Sequence, residues 1–568
     1  MNESFETLET DVLVLGSGGA GLCAALHLAA APQAPRVLMA VKGLFGKSGC
    51  TRMVQGGYNV VLDPRDSLQA HFRDTLEGGQ WINNQELAWL LVQEAPKRVL
   101  ELENRVGCFF DRDEQGRIHQ KPFAGQSFDR TVHKGDLTGI EIVNRLSEQV
   151  AAAGCTTILE EVRAVDLLLD GSGQRVVGAL LLSQRDGRFI AAHARATLLA
   201  TGGGPTMYKI SAPCHDKSCD GMAMGYRAGA TLMDMEMVQF HPTGLLVGGR
   251  MISGTVLEEG LRGAGAHLKN ARGERFMTRY DPRGERATRD VVSRGGFQEI
   301  VEGRGTPEGG LFLDASHLGA EFVMRNFKGM TLRCRDVGYD LARAPVQISP
   351  TAHFMMGGIE IDARCRSRLE GLFVAGEDAA GVHGANRLGG NGVAESTVFG
   401  GIAGDAIAPW VHEAPRLPFS AAQVRDAMAR CLAPFARPDG EPVYPLRDRL
   451  RETMWLNAGL IRSQATLQQA QAHLAELRER LGRTACPASR SYNLPWMDIL
   501  NLENYLDVSD AIVAAALARR ESRGSHYRAD FPSRNDGEYL GNLLLTSGGQ
   551  PRLRPVQFTR LKPQGAAG

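Results

Sequence analysis

The sequence has no CxxC pair, no excess of either charge and no apolar run long enough to cross a bilayer. Its ten cysteines stand at 23, 50, 108, 155, 214, 219, 334, 365, 431 and 486. They are too scattered for a zinc or iron–sulfur ligand set, so no metal site is expected, and they suit a reducing compartment. No apolar stretch reaches the ~18 residues of a membrane span. The opening MNESFETLETD sets acids ahead of the first apolar run, unlike a signal peptide. A cytoplasmic protein without direct membrane insertion is expected. Lys plus Arg and Asp plus Glu are equal at 64, so no net field draws in nucleic acid, and the expected partner is a small molecule. Repeats and low-complexity segments are missing too. What is present is 568 residues, 43% hydrophobic, able to bury a sizeable core over about three or four domain-sized units.

The rest is organised around the start of the chain. Apolar Val12 to Leu15 runs into Gly16, Ser17, Gly18, Gly19, Ala20 and Gly21, and then into a helical stretch from Leu22 to Ala31. This reads as strand, tight turn, helix. Gly16 allows the turn, Gly18 lets backbone approach a diphosphate, Gly21 lets the helix pack on the strand, and free N–H groups at the helix start receive the anion. A second strand at Val37 to Val41 supplies the context in which this glycine pattern means dinucleotide binding. At its end, where a nucleotide fold places the acid that holds a ribose, stand Val41 and Lys42. That weakens an NAD reading and leaves FAD.

Further along, helices are expected near Ser67 to Leu76 and Asn84 to Glu103, and strands near Thr156 to Leu169 and Arg175 to Leu182. The apolar run Ala194 to Ala200 ends on Thr201, Gly202, Gly203 and Gly204, a second strand-to-glycine turn. Gly371 to Glu377 re-enters the first fold, and Glu377 could supply the missing ribose contact. Charged amphipathic helices follow, clearest over Leu446 to Leu481 and Leu500 to Arg519. The fold class is α/β: a two-dinucleotide-binding-type Rossmann FAD domain (1–232 and 345–415) with an inserted α+β capping domain (233–344). A C-terminal helical domain (416–535) and a tail (536–568) complete the chain.

The motifs GSGGAG, CTRMVQGG (50–57), PFAGQS (122–127), QFHPTG (239–244), EGLRG (259–263), RDVVSR (289–294), HFMMGG (353–358), HGANRLGGN (383–391) and SRGSHYRADFP (522–532) together resemble the succinate dehydrogenase/fumarate reductase flavoprotein family, which includes L-aspartate oxidase. The resemblance implies an FAD-dependent oxidoreductase. It places the cofactor against Gly16, Gly18, Gly19, Ala20, Gly21, Lys42, Cys50, Thr51, Gly56 and Gly57, then Thr201, Gly202, Asp220, Glu377, Asn391, Gly392 and Val393. It implies that His241, His353 and Arg387 bind a substrate carboxylate, with Thr243, Phe123 and Gln126 nearby, and that Arg289 moves the proton alongside Glu259 and Arg262. Such residue types fit the chemistry. Arg387 offers a planar fork for a carboxylate, and hydride exchange at flavin N5 needs a proton handled on the substrate's other face.

Two departures stand out. Where the succinate and fumarate enzymes carry the histidine that bonds FAD, this chain has Cys50, which implies non-covalent FAD and a lower flavin potential. In the family's Thr-Glu-Gly-x-Arg-Gly-Glu-Gly, the substrate threonine is replaced by Glu258 and the proton-relaying glutamate by Ala264. Glu258 would repel a dianion at short range. It therefore points away, meets an amine or hydroxyl on the substrate, or replaces the relay acid; a solvated loop glutamate is the plain alternative. The expected reaction is hydride exchange on a small dicarboxylate-like substrate. The alternatives are an L-aspartate-oxidase-like enzyme using oxygen, and a flavoprotein subunit that turns over only with a separate iron–sulfur partner, peripheral to the inner membrane. A non-catalytic FAD-binding protein is the remaining one.

Overall fold

A computed structural model describes residues 4–123, 125–250, 252–437 and 439–563. Ala124 of PFAGQS and the last five residues of the expected tail lie outside the described residues. At the centre is a five-stranded, all-parallel sheet in the order Leu372–Val374, Ala196–Leu199, Val12–Leu15, Val37–Val41, Thr156–Glu160. Its strands are short and mostly buried on both faces, which is why they read as continuous apolar runs and not as alternating ones. The helix Gly19–Ala30 follows the first of them. It packs against the helix Asn391–Glu413 through glycines: a Cβ at Gly400 would lie 2.4 Å from Ala20 O, and one at Gly404 2.7 Å from Ala24 O. Backbones this close bring the N-termini of both helices to one place, beside the C-terminal ends of the parallel strands, where α/β sheets bind ligands.

The expected single strand region 156–169 is two strands in different sheets. The chain turns at Glu161, whose φ is +57°, and Val162–Leu169 joins a second sheet with Val176–Ser183, Phe189–His193 and Glu6–Glu9. The helix Thr138–Ala153 carries a buried face of Ile142, Val143, Leu146 and Val150.

The inserted segment builds an antiparallel sheet, ordered Val238–Leu245, Val346–Met355, Leu311–Asp314, His267–Lys269, whose second strand lies beyond the boundary expected at 344. It has its own apolar core, including Leu257, Leu261, Phe276, Leu313 and Ile348, separate from the core of the nucleotide fold. The run Leu446 to Leu481 is not one helix but two, Val443–Asn457 and Gln464–Leu481, the second started by a Ser463/Thr466 capping box. The long helix Leu494–Ala518 crosses both.

The stretch 536–568 departs from the expectation of a tail. Gly541–Leu545 and Arg552–Pro555 form strands that extend the pair Leu232–Met233 and Gly358–Ile359 into a four-stranded sheet. Asp234 fixes this strand by accepting bonds from Asn542 Nδ2 at 2.6 Å and Leu543 N at 2.8 Å. Three consecutive leucines in a five-residue strand beside a Pro- and Arg-rich stretch are too short a signal to be read locally. Among the described residues, no helix is long and apolar enough to cross a membrane.

Candidate active site

One cavity of about 270 Å³ runs from the glycine turn to the inserted domain. At its first end, Gly16 has φ +105° and no room for a Cβ, which would meet Ala200 O at 2.3 Å. A Cβ at Gly21 would lie 2.0 Å from Gly16 O. Gly21 thus lets the helix close on its own turn, and it sits behind the cavity wall. The helix has no acid in its first turn, and its N-cap residue Gly18 has no side chain to bond its N-terminal amides. Gly19 N donates to Thr51 Oγ1 at 3.0 Å, and Gly18 and Ala20 line the cavity. A chain with free amides, glycines where a Cβ would block approach, and a second helix N-terminus at Gly392 and Val393 fits a flavin dinucleotide.

Other expected cofactor residues take more specific places. Lys42 lines the cavity but its ammonium is held by Asp220 at 3.0 Å, Asn501 at 2.8 Å and Ser218. Asp220 also accepts from Arg163 at 3.2 Å and Asn504 at 2.7 Å, and its carboxyl lies at about 2 because, although burial raises it, Lys42 and Arg163 lower it further. Both belong to an internal ionic network at the cavity edge. Glu377, expected to meet a ribose, lines the cavity with its carboxylate paired to Lys217 and accepting from Met355 N at 3.1 Å. Thr201 and Gly202 donate to Asp378, Thr201 Oγ1 and Gly202 N each at 3.0 Å. Asn391, expected at the cofactor, lies outside the cavity lining, wholly buried, bonded to Asn59 at 2.8 Å, His71 at 3.2 Å and Thr75 at 3.2 Å. It pins the start of its helix. Gly56 and Gly57 lie in the lining, where a Cβ at Gly56 would strike Phe123.

At the other end the strand Val238–Leu245 carries His241 and its neighbour Val346–Met355 carries His353, the rings 5.5 Å apart. Thr243 N donates to His241 Nδ1 at 3.3 Å, while Thr243 Oγ1 donates to Leu257 O at 2.7 Å. An amide can only donate, so Nδ1 accepts and the proton sits on Nε2. Both imidazoles are held well below their usual range, first by burial and then by the nearby guanidinium groups of Arg289 and Arg387. They are neutral donors at physiological pH.

Arg387 stacks 4.3 Å above Phe354, donates to Gln239 Oε1 at 3.2 Å, and keeps an Nε without a partner among the described residues. Burial and the neighbouring Arg289 lower its pKa to about 9. Arg289 opens the helix Arg289–Glu299; its Nε donates to Glu259 Oε2 at 2.7 Å, and its Nη1 reaches Gln239 Oε1 at 3.3 Å. Glu259 Oε1 lies 3.7 Å from Arg262, and its carboxyl is lowered overall: burial raises it, and Arg289 and Arg262 outweigh that. Arg262 lies behind the wall and donates to Glu285 O at 2.6 Å. Thr243 and Gln126 are also outside the lining; Gln126 donates to Gly389 O at 3.1 Å and shapes the loop against which Phe123 packs.

Glu258 does not point away. It lines the cavity, 5% exposed, and accepts from Lys121 Nζ at 2.6 Å. Its carboxyl is raised, chiefly by burial, with Lys121 opposing. It makes no bond to Arg289 or Arg262 in place of the relay acid. Lys121, Gln239, Lys217 and Asp378 are the site residues that motif reading misses. Gln239 was visible as the first residue of QFHPTG, whereas Lys121 sits on a two-residue strand, Gln120–Lys121, with no motif of its own.

The fold and site define an FAD-dependent oxidoreductase that presents buried cations and neutral donors beside its cofactor cavity. Residues 11–393 match the family model described as FAD binding domain, and 447–567 match that of the fumarate reductase flavoprotein C-term. The chain is 42% identical over 551 residues to one subunit of the fumarate reductase (CoM/CoB) of Methanothermobacter marburgensis, covering 96% of this chain and 99% of the relative. It is 35% identical to L-aspartate oxidase of a Synechocystis strain, over 92% of this chain and 94% of that one. The FrdA chain of an E. coli quinol fumarate reductase variant superposes with a TM-score of 0.92 at 32% identity, covering 98% of each chain. The chain belongs to the succinate dehydrogenase/fumarate reductase flavoprotein family, and its cofactor is FAD.

Proposed function

We propose that this chain interconverts a saturated and an unsaturated dicarboxylate of the succinate–fumarate type. The observation that carries the reading is the buried Arg289–Glu259 pair, 2.7 Å apart, facing the same cavity as two neutral histidines and Arg387. FAD, when bound, supplies or accepts the hydride at N5. Arg387 holds one substrate carboxylate with its unpaired Nε and fork, and His241 donates from Nε2 to the same end or to the developing charge. Gln239 fixes both guanidiniums by accepting from each. Arg289 gives up or takes the proton at the substrate carbon, and Glu259 balances the charge and returns the proton. With alanine at 264, that route is one carboxylate shorter than the family pattern.

The Lys121–Glu258 pair, 2.6 Å apart, favours one substrate reading over the other. An unpaired Glu258 would favour a substrate ammonium, but Lys121 already neutralises it, which supports a plain dicarboxylate over an amino-dicarboxylate. We further infer that FAD is held without a covalent bond, since Cys50 takes the attachment position, and that electrons pass to or from a separate iron–sulfur protein. That the M. marburgensis relative is one subunit of its enzyme supports the partner. The test is anaerobic: the yellow protein is mixed with succinate or L-aspartate, and the dithionite-reduced protein with fumarate, while flavin absorbance is followed. Reoxidation by fumarate, no bleaching by L-aspartate, and release of flavin on acid denaturation are expected. Bleaching by L-aspartate alone overturns the reading. Dye-linked turnover of the chain alone, lost with a natural donor until a partner is added, tests whether the chain works as one part of a larger enzyme.

A further inference from the structure

Cys50 opens a single turn, Cys50–Met53, on one wall of the cofactor cavity, and Cys214 stands in the loop that forms the adjoining wall with Pro213, Asp216 and Lys217. The two are far apart in sequence, yet their sulfurs are 3.4 Å apart, and Cys214 N donates to Cys50 Sγ at 3.3 Å. Both are half-buried, as are Cys155 and Cys486, whereas Cys23, Cys108, Cys219, Cys334, Cys365 and Cys431 are buried; among the described cysteines it is the closeness of the two sulfurs that sets this pair apart. The hydrogen bond from Cys50 holds the Cys214 thiol below its usual range, and the Lys217 ammonium favours its thiolate. Burial pushes the six buried thiols up, Cys23, Cys334 and Cys431 to about 12. Reactivity toward oxidants follows the thiolate and its exposure.

We propose that Cys50 and Cys214 form a redox-active dithiol on the cofactor-cavity wall, which a hydroperoxide converts to a disulfide. The Cys214 thiolate attacks the terminal peroxide oxygen; the O–O bond breaks, the leaving alkoxide takes a proton, and a sulfenic acid forms on Cys214. The Cys50 thiol then attacks that sulfur, the S–O bond breaks, water leaves, and the S–S bond closes. Two thiols and one hydroperoxide give one disulfide, one alcohol or water, and one water. The sulfurs need to approach by a little over 1 Å to reach the ~2.05 Å of a disulfide. Gly49, at φ +87° with open space around it, gives the turn that freedom. The bond ties the Cys50–Met53 turn, whose Thr51 meets the amide of Gly19, to the opposite loop.

The purified holoprotein treated with one equivalent of hydrogen peroxide, alkylated and mapped by mass spectrometry tests this. A Cys50–Cys214 cross-linked peptide is expected, with the other eight cysteines still alkylatable and the link reversed by dithiothreitol. Cys50→Ser is expected to trap Cys214 as a dimedone-reactive sulfenic acid, and Cys214→Ser to leave Cys50 unmodified at the same dose. Phenylarsine oxide, which needs two adjacent thiols, is expected to bind at one equivalent to the reduced protein and to neither variant. Oxidation of other cysteines before this pair, or arsenical binding that survives both substitutions, overturns the proposal.

Discussion

Arg289 and Glu259 move one proton between them in the proposed reaction, so each should matter far more to turnover than to folding. Arg289→Lys and Glu259→Gln are expected to lower kcat for fumarate reduction by 10²–10⁴-fold, the usual worth of a positioned acid–base group, while flavin absorbance per protein stays the same. Stopped-flow reoxidation of the reduced flavin by fumarate checks this. Lys121 makes a sharper case. Lys121→Met leaves Glu258 without its cation beside the substrate, and KM for the dicarboxylate is expected to rise tenfold or more at a pH where the carboxylate is ionised. Lys121→Met combined with Glu258→Gln is expected to recover most of that loss, because removing one partner of a buried pair costs more than removing both. Steady-state KM values for the single and double variants decide it. His241, His353, Arg289 and Arg387 were legible in the sequence because they sit in motifs that keep order and spacing. Lys121 was not, since its role comes from a long-range approach to Glu258 that no local pattern records.

Among the elements, the helix Asn391–Glu413 has the most exacting position, because its N-terminus lines the cofactor cavity. Asn391 is tied there by His71, from the helix Leu68–Gly78, at 3.2 Å. Burial and nearby Arg130 depress the His71 pKa to about 4. The folded-state value is below the unfolded ~6.5, so the unfolded chain takes up the proton first as pH falls. The stability from this group is full above pH 6.5 and is lost as pH drops from there toward 4, by about 3 kcal/mol in all. His71→Gln is expected to be less stable than the parent at pH 7 but to lose less on acidification, and urea midpoints at pH 7 and 4.5 measure the difference. The parallel strands could be read from sequence, since buried parallel strands are continuous apolar runs, whereas this helix is not among the elements read there. The break between Val443–Asn457 and Gln464–Leu481 could not, because buried Arg462, bonded to the carbonyls of Ala458, Gly459 and Glu236, stabilises a non-helical turn through tertiary contacts.

In the whole molecule, two cores meet at one cavity. The inserted domain contributes His241, Glu258, Glu259 and Arg289, and the nucleotide fold contributes Arg387 and the cofactor walls. The segment 541–555 joins the outer sheet, and removing residues 540–568 leaves Leu232–Met233 as an edge and Asp234 buried without Asn542 and Leu543. The truncated chain is expected to melt at least 5 °C lower and to expose apolar surface, read by differential scanning fluorimetry and dye binding. That strand is also made long after the strand it pairs with. Its partner Leu232–Met233 leaves the ribosome roughly 300 residues earlier, and at about 5–20 residues per second the gap is ~15–60 s. For that interval the nascent chain carries an open strand edge, a surface that other strands can pair with. Closing of this sheet therefore waits on late synthesis, and the yield of folded chain is expected to depend on how well that edge is shielded in the meantime.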